Sequence, residues 1–299
     1  MKRHKLNGVS TFDIVNGLLV VLITLIIAYP LYFTVIASFS NPRKVMAGET
    51  LLWIKEFTVE NYQYILKEEQ LWMGYRNTIL YTLLGTLYNL VMTIPAAYVL
   101  TKTYLPLRNL FSWFFFLTMY ISGGLIPTYL LMKNLGLIDN PLILIIGSGV
   151  SCYNLIVTRQ YFSNSIPGEL YEAAMIDGGS EWKCFAKIAL PLAKPIIAVM
   201  ALYYGVGHWN SYYTALIYIR EREYYPLQLI LREILITNQT GMFTDNMDME
   251  MMEQLIHKLE IVQGMKYAVI FVACAPLLIV YPFLQKYFAK GVMIGAVKG

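Results

Sequence analysis

Long, nearly uncharged apolar runs alternate with polar segments along this chain. A bilayer core takes about 20 apolar residues per helix. Six runs approach or exceed that length: Ile14 to Phe39, Thr78 to Thr101, Leu110 to Met132, Pro141 to Thr158, Leu192 to Ile219 and Tyr267 to Leu284. The pattern predicts an all-α integral membrane protein with six transmembrane helices and both termini on one side. Two polar stretches are long. One, Arg159–Pro191, falls on the side of the termini; the other, Arg220–Lys266, falls on the opposite side with the segment Ser40–Met73.

Composition agrees. Of 299 residues, 57% are hydrophobic and 14% charged, against about 25% charged in a soluble domain. The 3 Cys and 20 Gly fit neither a disulfide scaffold nor a collagen-like repeat. Net charge is +4 with no long basic run, so no nucleic acid partner is expected. The tight positive clusters Met1–Lys5, Lys102–Arg108 and Lys286–Lys298 all share one side. By the positive-inside rule both termini are expected in the cytoplasm. The first apolar run is longer than the 7–15 residues of a signal-peptide core and reads as an uncleaved anchor.

Charge also bears on the source of energy. The six runs hold no Asp or Glu, and their titratable candidates are Lys194 and His208. Intramembrane carboxylates commonly mark proton and ion pathways, so an ion-coupled secondary carrier is the weaker alternative. The chain has no Gly-x-x-x-x-Gly-Lys-Ser/Thr phosphate loop; uphill transport would have to be powered by a partner. His4, His208 and His257 lie in unrelated segments and suggest no catalytic constellation. No metal site is expected either. Met247, Met249, Met251 and Met252 stand among Asp245, Asp248 and Glu250 without His or Cys, which reads as a loop rather than a copper site. Cys152, Cys184 and Cys274 have no ligand spacing and are expected as free thiols.

The Arg159–Pro191 stretch is the most informative. Ile166-Pro-Gly-Glu-Leu-Tyr-Glu-Ala-Ala174 starts a short helix with early acids. Gly178-Gly179 breaks it, Ser180 caps a second helix, and Leu190-Pro191 turns toward the fifth run. Two short helices with a glycine elbow make a knob that can enter a cleft on another protein.

Glu172-Ala-Ala-Met-Ile-Asp-Gly178, nine residues, then Ile188-Ala-Leu-Pro191 is similar to the EAA signature of binding-protein-dependent ABC importer permeases. Trp209-Asn210, Tyr225-Pro-Leu-Gln228 and the glycine-ended tail Gly291–Gly299 resemble the carbohydrate branch, in particular the smaller membrane subunit of maltodextrin-type importers. Ser122-Gly-Gly-Leu-Ile-Pro-Thr-Tyr129 with Gly136-Leu-Ile-Asp139 resembles the subgroup associated with oligo- and polysaccharide uptake. The resemblance implies a type I ABC importer permease (MetI-like) fold in the bacterial cytoplasmic membrane. Its parts would be residues 1–72 with the first span and loop, a permease core over 73–286 with the coupling loop at 159–191, and a cytoplasmic tail over 287–299.

It also implies partners: a second, related permease subunit, two ATP-binding subunits, an external solute-binding protein and an oligosaccharide. No cofactor is expected in this chain, since ATP and Mg would belong to the ATPase. A permease for a non-carbohydrate solute is the nearer alternative. By this resemblance Glu172, Ala173, Ala174, Asp177, Gly178, Ile188, Leu190 and Pro191 dock on the ATPase, and the tail Gly295–Gly299 reaches between its two copies. For the solute pathway the candidates are Tyr203, Tyr204, His208, Trp209, Asn210 and Tyr212 in the fifth run. Their aromatic faces and polar groups suit a sugar ring, though an interfacial aromatic belt or plain helix packing explains them too. Asn89 and Asn154 are kept as solute candidates, although helix–helix hydrogen bonding explains them at least as well and is the preferred reading.

Overall fold

The computed structural model describes residues 11–237, 264–279 and 282. The named elements are all helical, and the only β contact among the described residues is an isolated antiparallel bridge between Ser40 and Phe57. The chain divides into two compact units. One takes the residues up to Glu68 and again Glu233–Cys274; the other takes Glu69–Arg232 and the residues from Ala275.

In the first unit, α1 (Thr11–Ser38) has 28 residues, about 42 Å at 1.5 Å per residue. Its apolar side chains from Phe12 to Leu31 are exposed on all faces, the pattern of a helix solvated by lipid. The Ser40 hydroxyl closes the end of the helix by donating to the Ile36 carbonyl at 2.7 Å. Asn41 then caps α2 (Pro42–Met46), its side chain accepting from the Arg43 N–H, and α3 (Glu60–Lys67) buries Asn61 and Ile65. Phe39 stacks on Phe57 and Tyr62 and meets Phe271 of the apolar helix Gly264–Ile279 edge-on.

The second unit is built around α4 (Glu69–Val99). Its buried residues include Gly74, Asn77, Thr78, Tyr81, Gly85, Asn89, Thr93 and Ala97, recurring at three- and four-residue steps on one face. Small residues let a neighbouring helix approach and polar ones bond to it. After α4 come α5 (Arg108–Tyr120) and α6 (Leu125–Asn134), then α7 (Leu142–Ile146) and α8 (Cys152–Ser165). The Arg159–Pro191 segment forms α9 (Glu169–Ile176), α10 (Glu181–Cys184), a π-helical turn Phe185–Ala189 and α11 (Leu190–Leu192). Next are α12 (Lys194–Trp209), α13 (Tyr213–Tyr218) and α14 (Leu227–Thr237). The stripe on α4 packs chiefly against α12, α8 and α7.

The all-helical class stands, but six continuous spans do not appear among the described residues. α1 and α4 are long and apolar enough to cross a membrane, and up to four spans result if each bent helix pair counts as one. The third apolar run is bent by 116° between α5 and α6, at Gly124 with φ +82°. The fourth is two short helices parted at residues 147–151, and the fifth stops at Trp209 and resumes at Tyr213. The sixth is described only as Gly264–Ile279. Hydropathy counts side chains and is blind to a backbone that leaves the helix.

Candidate functional site

Two features of the second unit carry the chemistry: the knob at 169–191 and a cavity beside the helix breaks. In the knob, Glu169 and Glu172 lie in the first turn of α9, where the unpaired N–H groups favour acids. The helix ends through Gly178 at φ +74°, a conformation that costs little only for glycine. The N–H groups of Asp177, Gly178 and Gly179 donate to the carbonyls of Ala173, Met175 and Ala174 at 3.1, 3.0 and 2.8 Å, so the helix end is satisfied internally. The Ser180 hydroxyl accepts from the Lys183 N–H and caps α10.

Glu172, Ala173, Asp177, Gly178 and Pro191 are exposed, while Ala174, Ile188 and Leu190 are half-buried. At the tip Ile176 is 87% and Trp182 72% exposed. The rear of the knob is packed. Phe185 and Ala189 join Ile94, Ala97 and Tyr98 of α4, Leu155 and Phe162 of α8 and Met200 of α12 in one buried cluster.

A charged joint lies at the edge of that cluster. Lys102 Nζ is 3.3 Å from Glu181 Oε2, and the Tyr98 hydroxyl donates to the same oxygen at 3.0 Å. The ammonium sits over the rings of Tyr171 and Tyr98, 4.1 and 4.5 Å from their centroids. Burial pushes the Glu181 carboxyl up, but hydrogen bonds from Tyr104, Tyr98 and Lys102 and the Lys102 charge outweigh it and hold it below the ordinary range. Burial, then the charges of Cys184 and Glu181, push the Tyr171 phenol up to about 12.

The cavity measures about 720 Å³ and is lined from three interruptions, within the range of small-molecule sites. Ser122, Gly124 and Thr128 come from the α5–α6 bend, Gly147, Ser148, Ser151 and Asn154 from the α7–α8 break, and Tyr203, Tyr204, Gly207, His208, Ser211 and Tyr213 from α12 and α13. A broken helix frees backbone groups that hydrocarbon cannot satisfy. Asn89 Nδ2 donates to the Ser148 and Gly149 carbonyls at 2.5 and 2.8 Å. Its Oδ1 is thereby left as acceptor and takes a bond from His208 Nε2 at 2.7 Å. The Ser151 N–H donates to the Tyr204 hydroxyl, which also pairs with Thr93 Oγ1 at 2.7 Å. Gly85 faces the His208 ring at a distance that leaves no room for a Cβ.

Between α6 and α7, Asp139 takes φ +57° and its carboxylate accepts from the Arg220 and Glu221 N–H groups. Those two bonds hold it below the usual carboxylate range. The segment Tyr225-Pro-Leu-Gln228 is held by α4: Asn77 donates to the Glu223 and Tyr225 carbonyls, and Thr78 accepts from the Leu227 N–H.

Of the candidates for the solute pathway, Tyr203, Tyr204, His208, Asn89 and Asn154 are brought together on the cavity wall. Trp209, Asn210 and Tyr212 are not. Trp209 is buried along a separate apolar groove with Ile79, Leu83 and Pro276. Asn210 donates to the Val206 carbonyl, and Tyr212 lies under the Arg232 guanidinium. Helix α12 ends at Trp209, so Tyr212 does not continue the helical face that carries Tyr204 and His208. Among the described residues no group of three or more His, Cys, Asp or Glu is placed to hold a metal ion. Cys152, Cys184 and Cys274 are free. The Met247–Met252 segment and Gly295–Gly299 lie outside the described residues.

Residues 71–294 match the family described as the binding-protein-dependent transport system inner membrane component. The chain belongs to that family. This permease is 37% identical over 297 residues to Protein LplC of Bacillus subtilis (strain 168), covering 99% of this chain and 98% of that one. It is 35% identical to the polygalacturonan/rhamnogalacturonan transport system permease protein YtcP of the same organism, over 96% and 98% of the two chains. Among solved structures, it is similar to a chain of a bacterial ABC transporter involved in the import of the acidic polysaccharide alginate. The TM-score is 0.82 and the identity 32%, covering 93% of this chain and 96% of that one. The permease is thus a membrane transport subunit, not an enzyme.

Sequence reasoning about the permease missed two sets of residues. Ser122, Thr128, Ser211 and Tyr213 line the cavity, and their signal was the polar and glycine residues interrupting apolar runs. Lys102 and Glu181 meet across 79 positions, and nothing local to either one pointed to the other.

Proposed function

We propose that this permease is the smaller membrane subunit of an ATP-driven importer for oligosaccharides or polysaccharide fragments in a bacterial cytoplasmic membrane. Around it would stand a second, related permease, two ATP-binding subunits and an external solute-binding protein. The chain would cross the membrane six times with both termini in the cytoplasm, some of its spans being broken helices.

The observation that carries the reading is the knob: Glu172, Ala173, Asp177 and Gly178 are exposed on α9 and its elbow, while the following turn packs Phe185 and Ala189 into the core. Such a surface suits a cleft on an ATPase, and closure of the ATPase dimer would rock the permease subunits against each other. The names of the relatives support a saccharide cargo, and the cavity lined by Tyr203, Tyr204, His208 and Asn154 supports a pathway with both ring and polar surface. Gly295–Gly299 would reach between the ATPases.

Glu172→Lys tests the docking. The variant is expected in the membrane at normal level but without the ATPase on purification and without ATP-driven uptake; normal uptake would sink the proposal. Tyr203→Ala is expected to slow uptake while ATPase docking persists, measured on the same assembled importer.

A further inference from the structure

The link between the knob and α4 has an apolar and a charged part. Tyr98, at the end of α4, packs its ring against Phe162, Tyr171 and Phe185. Burial of ring surface scales with area and fixes the orientation of the knob on the helix less sharply than a charged contact does. The charged joint is directional. Lys102 follows α4 by three residues, and its backbone is held in a turn by its N–H to the Val99 carbonyl at 3.1 Å and by the Thr101 hydroxyl to the Tyr98 carbonyl at 2.6 Å. Glu181 is the first residue of α10, so the ion pair joins the end of one helix to the start of the other.

The surroundings make the pair more than a surface contact. The Lys102 side chain is only 12% exposed, enclosed by the Tyr98 and Tyr171 rings. An exposed ion pair is worth little. The Glu181 side chain is 37% exposed, so the enclosed partner is Lys102: losing Glu181 strands its ammonium without compensation, and the ring faces favour the cation further. Tyr98, donating to Glu181 Oε2, holds the same carboxylate from α4.

We propose that Lys102 and Glu181 are positioning residues: a strut, braced by Tyr98 and Tyr171, that makes the knob and α4 move as one body when the ATPase closes. Asn89, Thr93 and Gly85 on the same helix touch the cavity wall at His208, Tyr204 and the α7–α8 break. The strut therefore carries a displacement of the knob to the cavity. This rests on the reading that the knob docks on an ATPase.

The test uses the assembled importer in lipid nanodiscs, with spin labels at Lys183→Cys on α10 and Leu87→Cys on the exposed face of α4, in a background lacking the native cysteines. Their separation is measured by electron–electron resonance without nucleotide and with ATP plus vanadate. With the pair intact, one narrow separation is expected in both states. With Lys102→Met or Glu181→Gln the separation should shift with nucleotide and its distribution broaden, and uptake per ATP hydrolysed should fall. Lys102→Arg should restore the single separation. A Lys102→Met importer that keeps the parent's separation in both states would overturn the strut. So would a Lys102→Met variant that merely lost its ATPase, since the pair would then only shape the docking surface. Failure of the docking reading itself is seen separately, as full uptake by Glu172→Lys.

Discussion

At the residue scale, Asn89 ties three elements together. It is 1% exposed, donates to two carbonyls of the α7–α8 break and accepts from His208. An asparagine in an apolar run was visible in the sequence, but its partners were not, because Ser148, Gly149 and His208 are 59 to 119 positions away. Asn89→Ala should leave the two carbonyls and the imidazole N–H without their partner. A buried group left unpaired costs about 1–3 kcal/mol. The expected outcome is a lower unfolding temperature in detergent and a change in the fluorescence of a label placed near the break. Gly85→Leu should act on the same site from the other side, since any Cβ there meets the His208 ring.

Elements add a dependence on pH. The Glu181 carboxyl is held below its ordinary value of 4.5 in the folded knob. A depressed carboxylate contributes stability that is fully present above the unfolded value and lost as pH falls through the folded one. Hydrogen exchange over 169–192 should therefore be pH-independent near neutrality, after correction for the intrinsic rate, and lose protection only below about pH 4.5. Glu181→Gln should remove that acid dependence. In the elbow, Gly178 at φ +74° predicts that Gly178→Ala costs about 1–2 kcal/mol, read as faster exchange in α9 with α12 unchanged. Ser180, the glycine elbow and the early acids of α9 were legible beforehand because capping and φ > 0 are local requirements. The π-helical turn at Phe185–Ala189 was not; it depends on how Phe185 and Ala189 pack into the shared cluster.

On the scale of the whole molecule, the sequence reading and the structure divide over the spans. The proposed importer should retain uptake when ion gradients are collapsed by ionophores and lose it when ATP is depleted; the opposite result would favour an ion-coupled carrier. The absence of Asp and Glu from the apolar runs supports that expectation, since a carboxylate-bearing pathway would show in any linear count. The same count could not locate the cavity. Its wall gathers residues of α4 and α12 around three interruptions, at residues 122–124, residues 147–151 and Ser211, that a hydropathy window averages away.

Membrane residence, the absence of a phosphate loop and the knob signature follow from the sequence alone, because each depends on residue type or on spacing within one segment. The tertiary structure decided which polar residues line the cavity, that Trp209 turns to a separate groove, and that Lys102 meets Glu181. Those outcomes depend on where each backbone leaves the helix and which distant element then satisfies its freed groups. Hydrogen bonds and ion pairs are short-range in space but indifferent to separation along the chain, so they are settled only when the helices pack.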